Sequence, residues 1–247
     1  MYVLPYGQMS LWGFFVMPQM YFLYKMTIVL FKNIDISDKP IRLKGIYRIG
    51  PHNKDALSII FGSLLGDAHA EKRQSGNGTR ITFYQEHSHI KYMTYLHTLL
   101  SNMGYCNPKK PFCGTRLGLG GKVRKTVRFG TWTYTSFNWI HELWYENGIK
   151  IVPKCIGDYL TPLALAIWIM DDGGKVGNGL KFCTNSYTYT DCLILVNALN
   201  TNFGLKSTVQ KAGYKDQYII YIWKESMDNL RNIVYPYIIP EMRYKID

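Results

Sequence analysis

From Asn53 onward the chain alternates between two hydrophobic periods. "NKDALSIIFGSLLGD" is apolar on nearly every face of a helix and opens on Asn53, whose side chain can cap the first turn. A two-residue period flanks "QSGNGT" and runs into "RITFYQE", which predicts a hairpin. "SHIKYMTYLHTLLSNMG" returns to the helical period and closes at Gly104, as a C-terminal glycine predicts. "TRLGLGGKVRKTVRFGTW" then predicts a second hairpin turning at Gly120-Gly121, and "SFNWIHELWYENG" a further helix. The order is αββαββ followed by α.

The same order then recurs. Thr161-Pro162 is a cap and first-turn pair opening "PLALAIWIMDD", and "GLKFCTN" is a strand after a glycine-rich turn. "TYTDCLILVNALNTNFG" is a helix closed by Gly204, "STVQKAGYKDQYIIYIW" a hairpin and "SMDNLRNIVYPYI" the last helix. Asp67 and Asp172 fall at matching places, 105 residues apart, which is too long for a solenoid repeat. The pattern predicts an α+β protein of two similar subdomains, residues 36–150 and 160–247, joined by 151–159 within "IKIVPKCIGDY".

Residues 1–35 are different in kind. They are nearly free of charge, rich in Met and aromatics, and broken by Pro5 and Pro18. Met9 to Phe31 is long enough to cross a bilayer, but Pro18, Gln19 and Lys25 oppose that reading, and a secretory signal lacks its basic start and cleavage site. "YVLPYGQMSLWG" resembles a segment of mitochondrial cytochrome b, and the resemblance stops after Gly13. That implies an upstream exon read in frame into an intron, leaving residues 1–35 outside the working fold; the alternative is an apolar tail with a chance match.

Charge narrows the partners. Twenty-nine Lys and Arg against 17 Asp and Glu give a net +12, which points to a polyanion, nucleic acid before an anionic membrane. Five cysteines without a CxxC pair support neither a disulfide framework nor a zinc finger. His87 and His89 are too sparse for a metal site and suit surface or capping roles.

The repeated aspartates carry the chemistry. A carboxylate at a helix C-terminus faces the negative end of the macrodipole, a penalty that a divalent cation removes. Gly62 and Gly66 share one face of the first helix, and Ala164 and Ala166 lie in the second, so the two can pack closely. Packed in parallel, they bring Asp67 and Asp172 together, where mutual repulsion is relieved by Mg²⁺ or Mn²⁺. Oxygen-bound metals beside a phosphate are the apparatus of phosphodiester hydrolysis. A single "GD" after an apolar helix is usually only a cap and a turn; two in equal register in a basic duplicated chain say more.

"FGSLLGDAH" and "YLTPLALAIWIMDDGGK", with "YIIPEMRYK" and the repeated element order, resemble the single-chain LAGLIDADG homing endonucleases and maturases over about residues 45–247. The resemblance implies two pseudo-symmetric αββαββα subdomains whose antiparallel sheets form a DNA-binding saddle. It assigns metal binding to Asp67 and Asp172, with Gly66 and Asp171 at the positions before them; the Asp171 side chain is not expected to be a ligand. Lys150 and Lys245, which close the two halves, are implied near the scissile phosphates, where they would stabilise charge or order the attacking water. Gln85 and Asn185 resemble the family's water-positioning residues, although alignment on Phe83 and Phe182 selects Thr184 instead, and strict alternation turns Gln85 inward.

In the saddle that the resemblance implies, alternation gives the polar face that would meet DNA. Lys122, Arg124, Thr126 and Arg128 share one side of a strand, with Val123, Val127 and Phe129 on the other; Arg80, Thr82 and Tyr84 alternate with Ile81 and Phe83, and Lys181 with Leu180 and Phe182. A merely solvated sheet face is the plainer alternative for each of these residues.

Three functions follow as expectations. The first is a monomeric mitochondrial-matrix endonuclease, made inside the organelle, that cuts double-stranded DNA at a long asymmetric site and promotes intron homing. The second is a maturase that binds its own group I intron RNA without hydrolysis. The third, membrane association through residues 9–31, is disfavoured.

Overall fold

Two helices that are apolar all round must lie inside the protein, because neither leaves a face for water. The first, α1 (Lys54–Leu65), starts where Asn53 accepts hydrogen bonds from the amides of Asp55 and Ala56. It is followed by strands β1 (His69–Lys72) and β2 (Thr79–Glu86), helix α2 (Ile90–Asn102), strands β3 (Phe112–Leu117) and β4 (Val123–Gly130), and helix α3 (Asn138–Trp144). A small hairpin, β5 (Tyr145–Glu146) and β6 (Ile149–Lys150), and a short helix α4 (Ile156–Tyr159) lead to the second half. There α5 (Pro162–Asp172) begins at the Thr161 cap, and β7 (Gly173–Val176), β8 (Gly179–Cys183), α6 (Tyr189–Phe203), β9 (Ser207–Lys211), β10 (Tyr218–Ile222) and α7 (Met227–Val234) repeat the order.

The computed structural model describes residues 43–72 and 76–247. The exon-like segment and the bilayer-length stretch expected within residues 1–35 lie outside the described residues. Among the described residues no helix is long and apolar enough to cross a membrane, and the five cysteines are free.

The duplication is visible in the sheets. Their strand orders, β1-β2-β4-β3 and β7-β8-β10-β9, are the same, and both are antiparallel. Each inner face packs on helices: Phe83, Ile81 and Val127 are buried in the first half, and Phe182, with its ring stacked 3.7 Å from Trp168 of α5, in the second. Helices end as the glycines predict, with Gly104 and Gly204 at φ of 79° and 65°, a conformation that costs other residues energy. Residues 151–159, read from sequence as a linker, contain α4 and pack inward: Val152 and Ile156 are buried, and Tyr159 stacks 4.1 Å from Phe61.

Helices α1 and α5 advance side by side in parallel. Ser58 meets Thr161 hydroxyl to hydroxyl at 2.9 Å, Gly62 lies against Ala164 and Ile167, and Gly66 against Asp171. A β-carbon at position 62 would stand 2.4 Å from the Ala164 carbonyl oxygen, so only glycine allows this approach. The sequence expectation of close, parallel helices therefore holds, and it sets both C-termini at one end.

Candidate active site and nucleic-acid face

The last carbonyls of a helix lack intrahelical donors, and here side chains from elsewhere in the chain supply them. Lys150 donates to the carbonyls of Gly66 (3.3 Å) and Ala68 (2.9 Å), and Tyr187 of the second half to those of Leu64 and Leu65. Lys245 donates to the carbonyls of Ile169, Met170 and Asp171, and Tyr92 of the first half reaches that of Ile167, further inside the helix, at 3.4 Å. Each helix end thus has a lysine of its own half and a tyrosine of the other, and the cations offset the negative pole of the dipole. The lysines were read from sequence as phosphate neighbours; what they contact is the main chain under the aspartates.

Three carboxyls gather above those lysines. Gln85 Nε2 donates to Asp67 Oδ2 at 2.5 Å and to Asp171 Oδ1 at 3.3 Å, and the Asp171 carboxyl also pairs with the Tyr92 hydroxyl. Burial of the Asp67 carboxylate raises its pKa, with partial offset from Gln85, Lys245 and Lys150, although part of the side chain stays open to solvent. Burial and then Asp67 push Asp171 well above the carboxylate range, and the same two causes lift Asp172 to about 7. Desolvation lowers Lys150 to about 8 and lowers Lys245 as well. Charge is therefore expensive in this cluster, and a hard cation would remove the expense.

The donor set fits such a cation. Carboxylates and main-chain oxygens are the ligands of Mg²⁺, Mn²⁺ and Ca²⁺ rather than of softer metals. Among the described residues no group of three or more His, Cys, Asp or Glu side chains could hold a metal ion by itself. Mg²⁺ takes one or two carboxylates and completes its shell with water and substrate phosphate.

Strand register settles the fourth pair of predicted residues. His69 pairs with Thr82 and Gly174 with Lys181, so counting on from these partners makes Thr184 the counterpart of Gln85 and Asn185 the counterpart of Glu86. Gln85 does turn inward, to the carboxyls. Thr184 is fully buried and gives its hydroxyl hydrogen to the Tyr218 carbonyl, while Asn185 is exposed. The expected carboxamide in the second half is thus absent, because Asn185 belongs to the opposite face.

The outer face of the first sheet collects cations. Arg80, Thr82 and Tyr84 of β2 share it with Arg124 and Arg128 of β4: Tyr84 pairs with Arg128, and Arg124 pairs with Arg116 of β3. Glu71 holds Arg80 at 2.6 Å, Glu86 holds Arg124 at 2.5 Å and approaches Arg116 at 3.8 Å, and Arg116 also lies over the Tyr84 ring. Arg116 was missed in the sequence, although its place opposite Arg124 follows from a turn at Gly120-Gly121. Two expectations are corrected. Thr126 shares this face by register but is buried, and Val123, expected to pack under helices, is 62% exposed because the β3-β4 tip extends past the core. Lys122 is exposed just before β4. In the second sheet Lys181 lies between Gly174 and Tyr221, on a face that holds fewer charges.

Comparison with known proteins agrees with this architecture. A profile described as the LAGLIDADG DNA endonuclease family matches residues 57–230. The chain is 54% identical over 205 residues to a cytochrome b mRNA maturase bI2 of Saccharomyces cerevisiae, covering 80% of this chain and 48% of that protein, about half its length. It is 50% identical over 196 residues to the protein of the same name from Debaryomyces hansenii, covering 79% and 75%. Among solved structures, the homing endonuclease I-WcaI bound to its DNA recognition sequence superposes with a TM-score of 0.71 at 28% identity, covering 79% of this chain and 87% of that one.

Proposed function

The chain belongs to the LAGLIDADG DNA endonuclease family, and from that premise we propose that it is a divalent-metal-dependent endonuclease that cuts both strands of a long asymmetric DNA site. Its setting is the mitochondrion, and its role is the homing of the intron that encodes it. The observation that carries this reading is the meeting of Asp67, Asp171 and Asp172 at the ends of two parallel helices, each with its carboxyl pushed toward the neutral form. Asp67 and Asp172 would hold Mg²⁺ or Mn²⁺, with the main-chain oxygens of Gly66 and Asp171 at hand. The bound ion supplies charge for the phosphoryl oxygens and acidity to a water. Gln85 orients its amide at Asp67, the two lysines keep the carboxyl-bearing backbone in place, and the arginine face grips phosphates and base edges.

The test uses the full chain, Mg²⁺ and DNA carrying the uninterrupted cytochrome b reading frame around the codons for "QMSLWG". One staggered double-strand cut is expected. Asp67→Asn and Asp172→Asn should bind the DNA and fail to make that cut; full cutting by both variants overturns the mechanism.

A second reading is favoured by the names of the two relatives at 54% and 50% identity, both mRNA maturases. In it the chain also holds its own intron RNA in the splicing-competent fold. Splicing rescued by an Asp67→Asn protein that no longer cuts DNA would establish two separable activities.

A further inference from the structure

The Gln85 carboxamide is fixed from both ends. Its nitrogen faces Asp67 and Asp171, and its oxygen lies 3.1 Å from His89 Nδ1. Asp67, ionised when it holds a cation, accepts, so the amide NH₂ faces it, and Oε1 is left to accept from an Nδ1–H. Reversing the amide would set oxygen against oxygen at Asp67. His89 ends the short 3-10 turn between β2 and α2, four residues beyond Gln85, which places its ring on the amide. The second half has no equivalent: Thr184 stands in register with Gln85, is fully buried, and spends its hydroxyl on Tyr218.

We propose that His89 is a positioning residue that acts through Gln85 at the Asp67 centre alone, so that the two strands are cut at unequal rates, the strand served by Asp67 first. This rests on the endonuclease reading above. In each cut a water oxygen bonds to phosphorus, one P–O ester bond breaks, and a water proton passes to the leaving alkoxide. A carboxamide held in one orientation fixes where that water stands, and misplacing a reactant by about 1 Å can cost on the order of 100-fold in rate. The Asp172 centre, without an amide, must do without that alignment.

Single-turnover cleavage of a duplex with a different label on each strand tests this directly, using the full chain with Mg²⁺. The wild type should accumulate a nicked intermediate cut on one strand. Gln85→Ala and His89→Ala should slow that strand by roughly 10- to 100-fold and leave the other strand's rate in place. His89→Asn should restore the bias, because its amide nitrogen occupies the position of Nδ1 and donates likewise. Equal strand rates in the wild type, equal slowing of both strands by His89→Ala, or no rescue by His89→Asn overturns the inference while the endonuclease reading stands. A wild type that binds the DNA and cuts neither strand overturns that reading and this inference together.

Discussion

Gly66 and Asp171 interlock: a β-carbon at position 66 would stand 2.4 Å from Asp171 Cβ and 2.7 Å from its Oδ2. The first copy of the duplicated motif leaves a hole and the second fills it with a carboxyl. Gly66→Ala should therefore force α1 and α5 apart at their catalytic end and destabilise the protein by about 1–3 kcal/mol, the usual cost of overpacking. Asp171→Gly in the same chain should recover most of the loss. Thermal unfolding of the single and double variants measures the coupling, and additive losses would show that the contact is not the source.

The lysines beneath the carboxyls make a second prediction. Lys245 is 6% exposed and donates to the last three carbonyls before Asp172, at the end of α5. Ile169 keeps the Gly173 amide as a donor, but Lys245→Met takes from the Met170 and Asp171 oxygens the ammonium that meets them, which should cost about 1–3 kcal/mol before any DNA or metal is added. Urea unfolding of the free protein reads this out. Unchanged stability would mean that Lys245 serves the substrate alone.

Asp172 sets the pH response. Its carboxyl is raised in the folded state to about 7 from an ordinary 3.8, so folding favours the protonated form. Metal-free protein should gain stability from this group as pH falls from 8 through 7 toward 4. Lys150, lowered to about 8, pulls the slope the other way near that pH and drops out about one unit lower, where it is charged in both states. Asp67 and Asp171 are raised as well and act in the same direction as Asp172. Metal binding must displace these protons, so its affinity should weaken on acidification, by up to about tenfold per pH unit per proton. The thermal shift given by Mn²⁺ should be large at high pH and fade below 7, and Asp172→Asn should reduce the metal-free pH dependence to the part that Asp67 and Asp171 supply. A Mn²⁺ shift that grows on acidification would refute the assignment.

Much of this was legible because periodicity and small residues report directly on packing. The repeated element order, the parallel helix pair through Gly62 and Ala164, and the meeting of Asp67 with Asp172 all follow from spacing. Other features left no signal in the chain. The lysines bind main-chain oxygens, which every residue has, and the Tyr92 and Tyr187 caps cross between halves far apart in sequence. Sequence leaves both Asn185 and Thr184 open as the partner of Gln85 because a one-residue slip in a strand exchanges faces, and the pairing of Gly174 with Lys181 agrees with the Phe83–Phe182 alignment in selecting Thr184. His89 looked like an isolated surface histidine until the fold turned it onto Gln85.

Glu86 offers the last test, on the nucleic-acid face. It draws Arg124 and Arg116 together, and Arg124 in turn holds its carboxyl below the usual range. An exposed pair of this kind contributes little to stability, so its use lies in where the guanidinium groups are kept. A free arginine seeks any phosphate, whereas one pinned by a carboxylate presents its donors in a fixed direction, as reading a guanine edge requires. Glu86→Gln should therefore tighten binding to random DNA at low salt, since a repelling charge is gone, and narrow the gap between target and random DNA. Arg124→Ala should reduce the slope of log K against log salt by about one ion if the group meets a phosphate, and leave that slope in place with about 1–3 kcal/mol of lost discrimination if it reads a base. Titrations of target and random duplexes at several salt concentrations separate the two. If Glu86→Gln weakens both alike, the carboxylate supports the sheet rather than the readout.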